Sequence, residues 1–142
     1  MRLGVLKEPQ YENRVSIVPA SVKKLVKLGF DVIVEQGAGQ KSHYMDDEYV
    51  EFGASLSDNT DVLSCDIIVS ISMPDISNCK SGQIVVCVAD PFRNPDRVNL
   101  ANKIGITLIS MDMIPRRLSR AQSMDVNSSQ DNLAGYKAVL LG

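Results

Sequence analysis

The densest chemistry in this chain lies between Pro115 and Gln130. The run Arg116-Arg117-Leu118-Ser119-Arg120-Ala121-Gln122-Ser123-Met124-Asp125-Val126-Asn127-Ser128-Ser129-Gln130 has three arginines and few large apolar side chains. Arginine offers planar donors, and Gln both donates and accepts. Asp accepts, and Ser does either. No nucleophile is paired with a base in it. Such a set suits holding a polar ring or a ribose against a second reactant. A long polar stretch of this kind is functional more often than a plain connector. The competing reading is a solvated loop with a capped helix after it.

Other residue types add less. Arg14 lies in the polar segment Lys7-Glu8-Pro9-Gln10-Tyr11-Glu12-Asn13-Arg14-Val15. A guanidinium there can hold a carboxylate by two parallel hydrogen bonds, or it can pair with Glu8 or Glu12. His43 is the only histidine and has no partners at metal or triad spacing, so it reads as a solvated loop residue. Cys65, Cys79 and Cys87 are an odd number with no C-x-x-C spacing. They read as small core residues of a reduced chain, with no disulfide framework and no metal site. Gly37-Ala38-Gly39-Gln40-Lys41-Ser42 is close to G-x-G-x-x-G, but its third position is Ser and no convincing helix opens after it. It reads as a turn and not as a phosphate cradle.

These groups need a scaffold. The chain has 142 residues, enough for one domain, with 44% hydrophobic and 23% charged residues. Its formal net charge of −2 argues against nucleic-acid binding. No apolar run approaches the roughly 18 residues of a membrane span. The opening Met1-Arg2-Leu3-Gly4-Val5-Leu6-Lys7 is too short a core for a secretory signal.

Helical spacing runs from Pro19 to Leu28, with Gly29 as its stop. Further helices are expected over 46–52 and from Pro95 to Ile104, with Asn94 as N-cap and Gly105 as stop. Strands are expected at 3–6, 30–35, 66–70, 83–88 and 106–110, with a short one at 54–56. Near-continuous Val/Ile runs point to strands covered on both faces, hence a parallel sheet. The expected fold is α/β: a flavodoxin-like or Rossmann-like three-layer domain of five or so strands with helices on both faces. Ligands in such folds sit beyond the carboxyl ends of strands, so the loops after Leu6, Glu35, Ser70, Val88 and Ser110 are the places to look. Ser128 or Ser129 is the expected cap of a last helix through Leu141. That helix still reads well at Gly142, so a larger architecture is expected around residues 1–142.

The run Pro115-Arg116-Arg117-Leu118-Ser119-Arg120-Ala121-Gln122-Ser123-Met124-Asp125, with Ser128-Ser129-Gln130 and Asn132-Leu133-Ala134-Gly135-Tyr136, resembles the proton-translocating NAD(P) transhydrogenases. The similarity is to the N-terminal part of their NAD(H)-binding component, the alpha subunit in bacteria. Lys7-Glu8, Asn13-Arg14-Val15, Pro19 and Val34-Glu35-Gln36-Gly37-Ala38-Gly39 agree with it.

The resemblance implies hydride transfer between NAD(H) here and NADP(H) on a partner component, coupled to proton translocation. It places Gln122, Asp125 and Ser128 beside the nicotinamide, the first two as the catalytic pair. An arginine joins them on the carboxamide. Arg116 matches counting from Pro115, and Arg117 counting back from Ser119, because this chain has one residue more than the family pattern. The implied partners are a Rossmann NAD-binding domain, NADP(H)-binding and membrane components, and a second copy in a homodimer. The implied location is peripheral, on the cytoplasmic side of the inner membrane in bacteria or the matrix face in mitochondria. Alanine dehydrogenase shares the fold, but its lysine and histidine are replaced by Ser70-Ile71-Ser72-Met73-Pro74 and Cys87-Val88-Ala89-Asp90. That activity is therefore not expected. The reading in a different class is a non-catalytic partner-binding or remnant domain.

Overall fold

The computed structural model describes residues 1–115 and 117–142. Six strands form one parallel sheet: β1 (Arg2–Val5), β2 (Asp31–Glu35), β3 (Ser55–Ser57), β4 (Ile67–Ser72), β5 (Ile84–Val88) and β6 (Thr107–Ser110). Their spatial order is β3-β2-β1-β4-β5-β6. The helices are α1 (Pro19–Lys27), α2 (Asp46–Glu51), α3 (Asn59–Leu63), α4 (Pro95–Ile104) and α5 (Val126–Leu141). The α/β reading holds. The short segment near Leu56 is the sixth strand.

Local chemistry explains most boundaries. Pro19 and Pro95 occupy first turns, where the missing N–H costs nothing. Gly29 and Gly105 end their helices at φ 89° and 82°, a region that favours glycine. Asn94 stands at the expected N-cap position of α4, but its side chain accepts from no helix N–H; its Nδ2 donates back to the Ala89 and Asp90 carbonyls at 3.2 and 3.1 Å. The other cap assignment needs correction. The cap of α5 is Asp125, whose carboxylate accepts from the Ser128 N–H at 3.0 Å, and neither Ser128 nor Ser129 takes that role. An ionised oxygen is the stronger acceptor for that exposed donor. α3 lies outside the expected elements; Asp58 starts it by accepting from Asp61 N–H.

Side chains alternate between two cores. Val32 and Val34 join one cluster with Leu3, Val5, Val22 of α1 and Tyr49 of α2. Ile33 joins the other with Ile68, Val85, Cys87, Val62 of α3 and Ala101 of α4. Right-handed crossovers wound outward in opposite directions from the sheet centre put the helices on opposite faces in this way. All three cysteines are free and buried, in keeping with core roles. Burial pushes the Cys87 thiol up to about 12. No helix among the described residues is long and apolar enough to cross a membrane.

Gly4 has no room for a side chain. A Cβ there would lie 2.6 Å from the Val62 carbonyl oxygen and 2.9 Å from Val62 Cγ1. Gly4→Ala must push α3 off β1, so denaturant unfolding should show a loss of about 1–3 kcal/mol. An unchanged midpoint would contradict this packing.

Candidate functional site

The winding reverses between β1 and β4, and the loops leaving these neighbours part there. β4 carries a register shift between Val69 and Ser72 against β5. Such an irregularity takes backbone N–H groups out of the ladder. Glu8, at the exit of β1, supplies the replacement acceptors. Its carboxylate accepts from the N–H groups of Ile71 and Ser72, and the side chain is buried. The β1 exit and the β4 exit are thus fastened together by one carboxylate.

A cleft of about 920 Å³ opens above this junction. Its walls are the Glu12–Arg14 segment, the ends of β4 and β5 through Met73 and Asp90, and the first turn of α5 through Asn127 and Gln130. Of the five expected loops, those after Ser70 and Val88 line it directly. The segment after Leu6 contributes Arg14, the one after Glu35 contributes Ser42 and Tyr44, and the one after Ser110 contributes Met111 and α5.

Arg14 pairs with Glu12 and not with Glu8. Its Nε and Nη2 donate to the two Glu12 oxygens at 2.9 and 2.6 Å. Its Nη1 donates to Gln130 Oε1 at 2.8 Å. Arg14 therefore ties the first loop to the last helix. The hydrogen-bonded guanidinium holds the Glu12 carboxyl down at about 2.

The segment Gln122 to Ser128 stands beside the cleft. Gln122 begins an exposed 3-10 turn, Gln122–Met124. Asp125 accepts from the Ser128 hydroxyl at 2.6 Å as well as from its N–H. Gln122, Asp125 and Ser128 are not among the residues lining the cleft; Val126, Asn127, Gln130 and Asp131 are. Arg117 is exposed in a turn. Arg116 lies outside the described residues. Asn127 and Gln130 belong to the polar run read from the sequence but are not singled out there; their spacing of three is the one signal that puts them on one side of a helix. Asp112 escapes a reading of the sequence. Its carboxylate accepts from Ser110 Oγ and from Ala89 N–H, joining the ends of β5 and β6.

After β1 the chain runs Leu6-Lys7-Glu8-Pro9, without the glycines that let backbone N–H groups cradle a pyrophosphate. Glu35, at the end of β2, accepts from Lys7 N–H at 2.9 Å and Asn59 Nδ2 at 3.1 Å. It is thus engaged within the chain. Gly37 to Ser42 forms a turn, with the Gly37 N–H donating to Asp46. His43 is exposed, at φ 63°. No group of three His, Cys, Asp or Glu among the described residues could hold a metal.

The Glu12 carboxyl gives a direct check on this geometry. Its folded value lies below the unfolded one, so the pair's stabilisation is complete above the ordinary range near 4.5 and is lost as pH falls through about 2. A carbon-13 titration should put the Glu12 midpoint near 2, and Arg14→Met should return it toward 4.5. A wild-type midpoint near 4.5 would mean that the fork is not formed.

The family model "Alanine dehydrogenase/PNT, N-terminal domain" matches residues 4–134. The chain is 40% identical over 153 residues to the first part of NAD(P) transhydrogenase subunit alpha of Rhodospirillum rubrum, covering 100% of this chain and 40% of that protein. It is 36% identical to NAD(P) transhydrogenase subunit alpha of Haemophilus influenzae, covering 99% of this chain and 28% of that protein. The solved transhydrogenase from Sinorhizobium meliloti superposes with a TM-score of 0.93 at 42% identity, over 99% of this chain and 43% of that one. The chain thus spans less than half the length of each of these three. A polar arm beside a cleft at the switch of a parallel sheet and a match over nearly every residue lead to one assignment: this chain belongs to the alanine dehydrogenase/PNT N-terminal domain family, and its fold is that of the transhydrogenase alpha subunits.

Proposed function

We propose that the chain is the first domain of the NAD(H)-binding component of a proton-translocating NAD(P) transhydrogenase, and that residues 115–130 form the arm that holds the nicotinamide. The observation that carries this reading is the place of the arm. Its polar stretch runs into the first turn of α5, which walls the cleft at the carboxyl ends of β4 and β5. That is where ligands sit in open parallel sheets.

In this reading Gln122 and an arginine of the 116–117 pair bond the carboxamide. Asp125 and Ser128, already held together at 2.6 Å, present a preset acceptor and hydroxyl to the ring or ribose. Bound NAD(H) supplies the ring carbon that gives or takes the hydride. The side chains supply orientation, since direct transfer needs the reacting atoms about 3–3.5 Å apart. The phosphates need a second, Rossmann-type domain, because the loop after β1 has no cradle for them. NADP(H) belongs to a partner component, and proton translocation to a membrane component. A homodimer, held peripherally at the cytoplasmic face in bacteria or the matrix face in mitochondria, completes the proposal.

Alanine dehydrogenase chemistry finds less support. The segments Ser70-Ile71-Ser72-Met73-Pro74 and Cys87-Val88-Ala89-Asp90, which by the resemblance replace that enzyme's lysine and histidine, reach the cleft and carry neither residue type. A non-catalytic partner-binding domain is favoured by one observation: Leu133, Tyr136 and Leu140 lie 62–68% exposed along α5. A catalytic domain that docks a second domain would expose the same residues, so activity must decide.

In the assembled enzyme, Gln122→Ala should slow hydride transfer to an NADP analogue by about tenfold to a hundredfold. An unchanged rate would remove Gln122 from the site and favour the partner-binding reading. The 142-residue chain alone should shift its melting temperature by no more than about 1 °C with millimolar NADH. A shift of several degrees would show that no second domain is needed for binding.

A further inference from the structure

The glycine-containing turn after β2 has no ligand in the proposed function, yet it is firmly built. The Gly37 N–H donates to both Asp46 oxygens, at 2.9 and 3.2 Å. Gly39 packs under the Tyr49 ring so closely that a Cβ would lie 2.7 Å from it. Tyr49 is fully buried, and its hydroxyl donates to the Ile17 carbonyl at 3.0 Å. The turn therefore cannot drift relative to α2 and the start of α1.

Two of its polar side chains, Lys41 and Ser42, reach out of the turn to one target. Lys41 Nζ donates to the carbonyls of Pro9 and Glu12 at 2.9 and 3.3 Å. Ser42 Oγ donates to the Asn13 carbonyl at 2.7 Å. Three backbone oxygens of the segment before Arg14 are thus fixed from outside. Arg14 is next fixed by Glu12, which accepts from its N–H, Nε and Nη2. Nη1 remains, and it holds Gln130. The start of α5 also packs on the Met111–Met113 turn. Asn127 Nδ2 donates to the Asp112 carbonyl at the long distance of 3.5 Å, and the described residues from Ser128 onward are all exposed.

We propose that Lys41, Ser42 and Arg14 are positioning residues that act in series: the turn braces the first loop, and the first loop sets the arm against the cleft through the Arg14–Gln130 bond. The glycine-containing motif then serves the nicotinamide without touching it. The purpose of the relay rests on the proposed function, but the relay itself is measured without nucleotide, so the two fail separately.

Amide hydrogen exchange on the full 142-residue chain tests it. Arg14→Ala and Gln130→Ala should each lower protection at 130–134 by about tenfold, and the double variant should lower it no further. Gln130→Glu should keep protection, because a carboxylate accepts from the same guanidinium nitrogen. Lys41→Met should lower protection there by about threefold in the wild type and not at all in the Arg14→Ala background. Amides of β1 and β4 should stay as in the wild type throughout.

Unchanged α5 protection in Arg14→Ala overturns the proposal. So does an undiminished Lys41→Met effect when Arg14 is gone. A loss spread equally over β1 and β4 also overturns it, since Arg14 would then be a general stabiliser.

Discussion

β1 and β4 lie side by side in the sheet, and the chain winds away from them in opposite directions. Their loops cannot cover each other, so a crevice must open at their carboxyl ends. The crevice would be soft without a tie across it. Here the tie is the buried Glu8 carboxylate, which takes the two N–H groups that the irregular end of β4 removes from the ladder. A buried donor left without an acceptor costs about 1–3 kcal/mol. Replacing Glu8 would therefore unsettle β4 where it forms the cleft floor. The rest of the site is hung from this junction.

In the proposed function, what hangs there is half of a dinucleotide site. The cleft is rich in side-chain hydrogen-bonding groups and has no glycine loop on β1. Glu35, the acid placed where a ribose would be held, is spent on Lys7 and Asn59. Specificity for a ring and a carboxamide can come from such side-chain groups. The relatives' greater length and the exposed apolar residues of α5 agree with a second domain supplying the phosphate site. In that reading hydride transfer depends on how firmly each half is held, and on this side the proposed relay gives the holding to Arg14 and to the turn that braces its loop.

Much of this is legible in the amino-acid order. Val/Ile runs mark the strands because both faces of a parallel sheet are covered. Pro and Gly mark the ends of α1 and α4 because their backbone limits are local. α3 escapes because five residues show too little periodicity, and its cap, Asp58, reads equally well as a turn residue. Asn94 reads as a cap by its type, but its carbonyl targets belong to the left-handed turn at Asp90, φ 45°, which spacing does not reveal. The expected start of α5 falls too late, since serines draw notice where an aspartate does the capping.

The site itself is only half legible. The chemical character of residues 115–130 is plain, and family resemblance points to Gln122, Asp125 and Ser128. The choice of Glu12 over Glu8 for Arg14 is not readable. It depends on the irregularity at the end of β4, a long-range feature that claims Glu8 for itself. Asn127 and Gln130 are hidden for a related reason: only the docked angle of α5 decides which of its polar residues turn toward the cleft.

The central claim is that the arm exists to hold a nicotinamide. A structure of the complete NAD(H)-binding component with NADH bound tests it most directly. The account predicts side chains from Gln122, Asp125 and Ser128 within hydrogen-bonding distance of the carboxamide or its ribose, with the ring over the ends of β4 and β5. An arm turned away from the bound nucleotide, with those three side chains in solvent, would contradict it.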